Sequence, residues 1–502
     1  MAMKFKSICL FCIFYLFASC FLSADTWTTL VTTKGVNNSG SFGSYVASLP
    51  SGDLVIVGQY KADEVVLGDI NLSSITDASK LVSQDRSKIY LARISAGKFI
   101  WAKTFGSKDD ADNPVIRVRT DAEGNIYVLG ASTSSVTIDN TTIHKTGKDA
   151  FAFLAKFNEN GELIWGKSIE AFNNVEETDL VVSQAGDIVV VTSVTQNIRR
   201  IKQDKITYNR PGSYSSAIII RFDKDGNALW IKGTVSEGAG SASIAKSAVL
   251  DKESNLYIVG EFSGGKLNLS GASLPLPTGI TSSPAYGCVF LAKYDVEGNC
   301  VMAANMGSNL SVAHSRPKAF KVSLSEDESK IYVTGSFSKS LAIWDKAGEK
   351  ELNKFENNGR TTFFITQVSQ EGEIENTKTG ETRNCYVEIA GFQQVGNNYV
   401  LIGNFAGNMD IGDGKKYVST SNRTISRQKY FPFIIKYDAN WEVSSCDIIE
   451  ANGETKIKDF CVSNSNICAI GTFVSEVSEA TLGTNKIEMD KKYSKSFVYF
   501  FK

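Results

Sequence analysis

Short apolar and alternating runs, separated by glycine-bearing turns, recur along the whole chain. The clearest example predicts four strands, a to d, at Pro114–Thr120, Ile126–Gly130, Phe151–Phe157 and Leu163–Ser168. Period-two alternation over such short stretches, with glycine between them, indicates strands rather than helices. The sequence therefore predicts an all-β protein built from one repeated unit of about four antiparallel strands.

Two recurring residues give the number of repeated units. A basic residue closes strand c in most units, and a glycine ends strand b. Both markers predict seven units about 69 residues apart, which is longer than the ~40–50 residues of short propeller blades. The first marker falls at Arg93, Lys156, Arg221, Lys293, Gln367, Lys436 and Lys502, and the second at Gly58, Gly130, Thr192, Gly260, Gly335, Gly403 and Gly471.

The extra length of each unit lies mostly between strands b and c. These segments, such as residues 131–148 and 194–214, are polar and differ from one unit to the next. We expect them to form loops, and loops on a rigid scaffold are where binding residues usually lie.

The two ends of the chain complement each other. The seventh unit has no strand d, and the segment Asp25–Thr33 has the pattern of an isolated strand d that contains Trp27. Pairing of this segment with Ser496–Phe501 would close the ring and leave no exposed sheet edge. An open solenoid would need capping ends, and none is evident. Residues 25–502 are therefore predicted to form a single seven-bladed β-propeller closed by the N-terminal strand.

Residues 1–24 are predicted to be a signal peptide. Two lysines precede the apolar run Ile8–Leu22, which is too short to span a bilayer comfortably as a helix. Cleavage near Ala24 would release a soluble protein. Alternatively, the segment ending at Cys20 is similar to a relaxed bacterial lipobox, in which that cysteine would be acylated. Both alternatives predict export, to the periplasm, the cell surface or the extracellular space.

Composition excludes some function classes. Lys and Arg number 53 and Asp and Glu 54, giving a net charge of −1 and no basic footprint for nucleic acid. The 2 histidines limit histidine-based catalysis and metal binding. No nucleophile-elbow, zinc-protease or phosphate-loop motif is present. We therefore expect a monomer without a cofactor, a bound metal or a nucleic-acid partner.

Six cysteines remain beyond the signal segment, and their spacing matches no zinc pattern. Cys461 and Cys468 flank the polar turn Asn464–Asn466, so a disulfide across a hairpin is one interpretation. The alternative is that all six are small buried thiols. The six are Cys288, Cys300, Cys385, Cys446, Cys461 and Cys468.

Two kinds of polar cluster are further candidates. Asp109, Asp110 and Asp112 could offer oxygen ligands to calcium, or could form a solvated turn. The basic insertions Arg199–Arg210 and Lys415–Lys429 could attract an anionic glycan or a lipid surface, or could be solvated loops.

Three segments together resemble the bacterial SBBP-type seven-bladed propeller repeat. The resemblance covers nearly all of residues 25–502. It implies a secreted or surface-attached bacterial protein with a propeller fold, and it implies no particular reaction. The segments are Gly106–Asp110, Asp121–Gly130 and Asp149–Gly161.

The segments Asn158–Trp165 and Asp223–Trp230 also resemble the tryptophan-docking repeats of quinoprotein dehydrogenases. That resemblance implies that the tryptophans pack one repeat against the next. A quinone enzyme would in addition need an acidic calcium site and a catalytic base over the axis, and the sequence shows no such set.

The leading functional prediction is an exported, non-catalytic binding or scaffold module that engages a partner protein or a glycan through its loops. The alternative is a carbohydrate-active or other enzyme with a site over the central channel. Acidic, tyrosine and arginine side chains clustered at one channel mouth would favour the enzyme, whereas Ser, Val and Ala would favour the binding module. The fold alone does not decide between them.

Overall fold

The computed structural model describes most of the chain beyond the first 26 residues, and every regular element in it is a β-strand. The described part contains no helix that is long and apolar enough to cross a membrane. The described residues are 27–34, 40–62, 64–73, 87–107, 113–146, 150–169, 177–195, 197–211, 214–238, 240–277, 287–308, 317–380, 383–419, 429–451, 453–474, 479–482, 485–488 and 494–501.

The strands follow one another at short intervals, as the turn spacing of the sequence predicts. In chain order they are β1 Trp27–Lys34, β2 Gly40–Ser48, β3 Leu54–Lys61, β4 Glu64–Leu67, β5 Ile70–Ser73, β6 Lys88–Ser95, β7 Lys98–Ser107, β8 Val115–Thr120, β9 Ile126–Ser132, β10 Val136–Ile138, β11 Thr141–Ile143, β12 Phe151–Phe157, β13 Leu163–Ile169, β14 Asp179–Val182, β15 Ile188–Val194, β16 Arg200–Gln203, β17 Ile206–Asn209, β18 Ser216–Phe222, β19 Ala228–Gly233, β20 Val235–Glu237, β21 Ser243–Leu250, β22 Leu256–Phe262, β23 Lys266–Leu269, β24 Ala272–Pro275, β25 Cys288–Tyr294, β26 Cys300–Ser308, β27 Lys318–Leu324, β28 Lys330–Trp344, β29 Glu351–Ser369, β30 Ile374–Thr379, β31 Arg383–Val395, β32 Asn398–Met409, β33 Tyr417–Val418, β34 Phe431–Tyr437, β35 Val443–Ile448, β36 Glu454–Ser463, β37 Asn466–Val474, β38 Glu479–Leu482, β39 Asn485–Glu488 and β40 Ser494–Phe501.

The repeated unit is a four-stranded antiparallel meander, which confirms the predicted all-β class. Its clearest example is the sheet β8–β9–β12–β13. The first strands of consecutive units lie against one another, and we call these the inner strands. Such an arrangement of small sheets is β-propeller-like. The inner strands are β2, β8, β14, β21, β27, β31 and β36.

The N-terminal strand β1 completes the sheet of the last unit. It pairs antiparallel with β40, with Trp27 opposite Phe500 and Val31 opposite Ser496. On its other edge β1 pairs with β4, where Val31 lies opposite Leu67. The pairing that the sequence predicts between the two ends of the chain is therefore present, and β1 has a partner on both edges.

Several segments between the second and third strands form hairpins, so the expectation of loops there is wrong. The hairpin β10–β11 pairs with β7 of the preceding unit, with Val136 opposite Ser107. The hairpin β23–β24 pairs with β20 in the same way, with Val235 opposite Asn268. The physical reason is local alternation: the side chains of Val136 and Ile138 are buried while the one between them is only half-buried.

Tryptophans of the fourth strands join consecutive units. The indole Nε1 of Trp101 donates a hydrogen bond to the carbonyl oxygen of Glu159 at 3.1 Å, in the turn of the next unit. Gly161 in that turn has φ +79°, and a Cβ there would lie 2.8 Å from the Trp101 ring. Trp230 repeats the contact by donating to the carbonyl oxygen of Val296 at 2.8 Å. The tryptophans therefore have the packing role that the sequence predicts.

Candidate functional site: a charged cluster between the inner strands

The second strand of each unit contains the marker glycine, or Thr192 in the third unit. On each inner strand, one residue is paired directly with the residue just before that marker. In the third unit, where Thr192 replaces the glycine, Asp179 lies opposite Val191. The pairing register therefore aligns one position from every unit at the same level. These positions are Tyr45, Arg117, Asp179, Ser247, Lys321, Gly391 and Asp459, and we call them the inner-strand set.

A one-residue β-bulge precedes most members of this set. In the second unit the register passes from Val115 to Arg117, and in the fifth it passes from Ala319 to Lys321. The same shift precedes Tyr45, Ser247, Gly391 and Asp459. A bulge bends the strand and turns the following side chain away from strict alternation. Here it brings charged side chains of neighbouring inner strands together.

Arg117 and Asp179 form a buried ion pair between adjacent inner strands. Nε of Arg117 lies 2.6 Å from Oδ1 of Asp179, whose side chain is 2% exposed. The guanidinium also lies 4.5 Å from the ring centroid of Tyr45. Asp179 accepts further hydrogen bonds from the backbone N–H groups of Leu180 at 3.0 Å and Ala248 at 3.1 Å. The carboxylate is therefore fully engaged and joins three inner strands.

Electrostatics keeps this pair ionised at neutral pH. Burial alone would raise the pKa of Asp179, but Arg117, Lys321 and Arg119 outweigh burial and lower that pKa to about 2. Burial acts to lower the pKa of Arg117, and Asp179 outweighs it, so the pKa of Arg117 is raised. Arg119 is the second cation, with Nη2 at 3.7 Å from Oδ1 of Asp179.

Lys321 and Asp459 complete the charged cluster. Oδ2 of Asp459 accepts a hydrogen bond from the backbone N–H of Val46 at 3.3 Å, and so bridges the last and first inner strands. Burial and the nearby Arg117 lower the pKa of Lys321 to about 8. Within the described part of the chain, no hydrogen bond or ion pair reaches the Lys321 ammonium.

A cavity of about 240 Å³ opens beside this cluster. Its charged lining consists of Arg119, Lys321 and Asp459, and its remaining lining includes Ser247 and Val249. The charged residues that were expected of an enzyme and the Ser and Val residues that were expected of a binding module are therefore present together. One carboxylate faces two cations here, which is not the pair of carboxylates that glycoside hydrolysis uses.

A second cavity, of about 450 Å³, lies between the neighbouring hairpins β10–β11 and β16–β17. We call it the hairpin cleft, and its polar lining includes His144, Thr146, Lys202, Gln203 and Asp204. Gln203 is 6% exposed, and its Nε2 donates to the carbonyl oxygen of Ser168 at 3.1 Å. Within the described residues, Oε1 of Gln203 and Oγ1 of Thr146 have no hydrogen-bond partner.

The two cysteines singled out by the sequence lie together. Cys461 is directly opposite Cys468 in the hairpin β36–β37, and both thiols are free in the structure. A hydrogen bond with Cys468, together with burial, raises the pKa of the Cys461 thiol. The disulfide between them stays a prediction. Cys20, the candidate for lipidation, lies outside the described residues.

The remaining candidates from the sequence are dispersed. Asp109, Asp110 and Asp112 lie outside the described residues, and the described ranges contain no group of three His, Cys, Asp or Glu that could hold a metal ion. Arg210 of the first basic insertion is buried, with Nε donating to the carbonyl oxygen of Ile198 at 2.9 Å. It holds its own hairpin in place and is not a free cation.

Sequence reasoning missed the inner-strand set because its markers were chosen on the second and third strands. The usable signal is a fixed pairing position on the first strand of each unit that carries a charged residue in four units, namely Arg117, Asp179, Lys321 and Asp459. That signal becomes visible only after the bulges are placed, because each bulge displaces the position by one residue along the chain.

Comparison with known proteins gives limited guidance, and no family model matches the chain. Regulatory protein FlaEY of Caulobacter vibrioides is 23% identical over 317 residues, which cover 61% of this chain and 30% of that protein. The chain thus matches less than a third of that relative's length.

Solved structures with a similar backbone arrangement have low sequence identity to this chain. A quinohemoprotein alcohol dehydrogenase from Pseudomonas putida HK5 has a TM-score of 0.38 at 10% identity, covering 93% of this chain and 76% of that one. A member of the duf4221 family from Bacteroides vulgatus has a TM-score of 0.33 at 11% identity, covering 77% and 92%. These likenesses are too weak to assign a function.

Proposed function

We propose that this chain is an exported, non-catalytic binding or scaffold protein that engages a partner protein or a glycan through the hairpins inserted between its second and third strands. The hairpin cleft carries this proposal. The hairpin β10–β11 pairs with β7 of the preceding sheet, which holds its side chains in fixed positions and so lowers the entropy lost on binding. The cleft also contains buried polar atoms, on Thr146 and Gln203, that have no partner within the described residues.

The scaffold in this proposal is a monomeric seven-bladed β-propeller closed by β1. The pairing of β1 with β40 supports it. Bridges between neighbouring units also support it, since they run from the first unit to the last and back to the first. The bridges are Thr120 Oγ1 to Ser48 O at 2.7 Å, Arg117 to Asp179 at 2.6 Å, Ala248 N to Asp179 at 3.1 Å, Ala319 N to Glu261 at 3.1 Å, Ser323 Oγ to Phe392 O at 2.6 Å, Ile457 N to Asn404 at 2.8 Å and Val46 N to Asp459 at 3.3 Å.

The hairpin cleft is tested with an immobilised panel of defined glycans. We expect selective binding by the wild-type protein and its loss in the double variant Lys202→Ala, His144→Ala, because both side chains line the cleft. The matched control is Lys205→Ala, an exposed lysine in the same hairpin that does not line the cleft. Glycan binding that survives the double variant, or that is lost equally in the control, would contradict the proposal.

Export and the state of Cys20 are part of the same proposal. Intact mass of protein purified from the native membrane and soluble fractions tests them. A diacylglyceryl or triacylglyceryl mass on a chain that starts at Cys20 would identify a surface lipoprotein. A free chain that starts near Asp25 would identify a soluble exported protein. A chain that retains residues 1–24 would contradict both routes.

The second candidate function is a carbohydrate-active or other enzyme with its site in the inner-strand cavity. Lys321 favours it, since a lysine whose pKa is about 8 is partly neutral, and a neutral amine attacks carbonyl carbons. Incubation with an aldose and borohydride, followed by peptide mass mapping, tests this candidate. A reduced adduct confined to Lys321 would support it, whereas adducts spread over exposed lysines would count against it.

A further inference from the structure

We propose that the inner-strand cavity binds a small carboxylate-bearing molecule, with the ammonium of Lys321 and the guanidinium of Arg119 as its cationic ligands. This site is separate from the hairpin cleft and goes beyond the leading function proposed above, although it lies in the cavity named for the second candidate. A failed test of one therefore leaves the other intact.

The charge balance of the cluster is the first argument. Arg117, Arg119 and Lys321 are three cations, and Asp179 and Asp459 are the two carboxylates that face them. Asp179 already accepts hydrogen bonds from Arg117 and from backbone N–H groups. One positive charge is left without a matching anion among these buried and half-buried groups, and such a position favours an added anion.

The unused donors of the two lining cations are the second argument. No described residue forms a hydrogen bond or ion pair with the Lys321 ammonium, which can donate three. Arg119 donates from Nη1 to the carbonyl oxygen of Val118 at 2.8 Å. Its other contact, to Asp179, is longer at 3.7 Å, and its side chain is 28% exposed. Donors therefore remain on both cations at the wall of the cavity.

The shape of the cavity is the third argument. In the inner-strand set, Lys321 stands between Ser247 and Gly391, so neither neighbouring inner strand places a large side chain of its own at this level. Gly391 also makes room for the Phe460 ring, because a Cβ there would collide with that ring. The cavity of about 240 Å³ corresponds to roughly eight water volumes, which suits a ligand of monosaccharide size. Ser247 and Gln393 add polar groups to the wall.

Protonation of Lys321 should control affinity. The groups that face it are Arg117 and Arg119 on β8, Asp179 on β14 and Asp459 on β36. Its pKa of about 8 means that the ammonium is present at pH 6.5 and mostly absent at pH 9.5. A carboxylate should therefore bind more weakly at the higher pH, while a neutral ligand of the same size should show no such dependence.

The test is calorimetric titration of the full chain with sodium glucuronate and, separately, with glucose, at low ionic strength. We expect glucuronate to bind and glucose not to bind, and we expect the affinity for glucuronate to fall at least about fivefold between pH 6.5 and 9.5. Equal binding of glucose, or no binding of glucuronate at either pH, would overturn the proposal.

Variants locate the site. Lys321→Met keeps the length of the side chain and removes its charge, and we expect it to weaken glucuronate binding about ten- to hundredfold. Arg119→Gln serves the same purpose if the first variant fails to fold. Lys98→Met, at an exposed lysine on strand β7, is the matched control and should bind as the wild type does. Equal weakening in the control and in the cavity variants would overturn the assignment.

Discussion

Arg117 and Asp179 belong to consecutive units of the chain, and their side chains meet at 2.6 Å in the buried space between the inner strands. The pair joins two separate sheets whose described strands do not pair with each other. Its loss would therefore loosen the contact between units more than it would disturb either sheet.

Asp179→Asn should be strongly destabilising. The substitution preserves shape and leaves the Arg117 guanidinium buried without its carboxylate, so we expect the free energy of unfolding to fall by about 3 kcal/mol. Asp139→Asn is the matched control, because Asp139 pairs with Lys103 at 2.8 Å while its side chain is 50% exposed. Its cost should stay below about 1 kcal/mol. Urea denaturation of both variants measures the two costs, and equal costs would refute the interpretation.

The same aspartate should contribute to acid stability. Its pKa is about 2 in the folded protein against an ordinary value of 3.8, so the folded state binds the proton less tightly than the unfolded chain does. Its contribution is therefore complete above about pH 4 and is lost as the pH falls through 2. The difference in unfolding free energy between wild type and Asp179→Asn should shrink over that window. A difference that is constant from pH 5 to pH 2 would show that the carboxylate charge is not responsible.

Lys321→Met should stabilise the protein at neutral pH. The pKa of Lys321 is about 8 in the folded protein against an ordinary value of 10.5, so the folded state binds this proton more weakly than the unfolded chain does. Below pH 8 the charged lysine lowers the free energy of unfolding of the wild type by about 1–3 kcal/mol, and this penalty disappears as the pH rises towards 10.5. The free energies of unfolding of the two proteins, measured by denaturation from pH 6 to pH 10.5, should therefore converge as the pH rises. Buried tyrosines act equally on the two proteins and cancel in the difference.

Gly161→Ala should weaken the contact between the second unit and the one before it. The residue has φ +79°, and the new Cβ would lie 2.8 Å from the Trp101 ring. Gly412→Ala is the control, because it has φ +83° and no atom within 4 Å. We expect about 1 kcal/mol of backbone strain in both, with about 1–2 kcal/mol more at Gly161 from the clash. Thermal unfolding measures the difference, and equal effects would show that the tryptophan accommodates the methyl group.

Cys461 and Cys468 should form a disulfide if the protein is exported as proposed. They face each other across a hairpin, and closing so short a loop is worth about 2 kcal/mol in the chain-entropy description. Peptide mapping with and without reductant detects the link, and buried Cys288 should stay a free thiol under both conditions. If alkylation labels Cys461 fully without reductant, the prediction is wrong.

Much of this fold can be predicted from the sequence because its signals are local. Strand alternation and glycine turns depend on a few adjacent residues, so the strands around Ile126 and Phe151 are predicted close to their observed bounds. The pairing of Trp27 with Phe500 is predictable for a different reason: a surplus strand at one end matches a deficit at the other.

The charged cluster could not be predicted in the same way. Its members are distant in sequence, and a bulge before Arg117 and before Lys321 shifts each by one residue relative to simple alternation. The inserted hairpins were missed for a related reason. A strand such as Val136–Ile138 is too short for its alternation to stand out, and it is stabilised by pairing with β7 of the preceding unit.

The position of β1 has a consequence for how the protein is made. One edge of β1 pairs with β4, which is synthesised soon afterwards, but the other pairs with β40, at residues 494–501. During synthesis, that second edge has no partner until residues 494–501 have followed, and an unpaired edge can recruit other chains. The entropic cost of such a distant pairing grows only logarithmically with separation, so the delay is kinetic rather than thermodynamic. An accessory protein that shields β1 during synthesis would therefore protect the nascent chain at the stage when it is most exposed to aggregation.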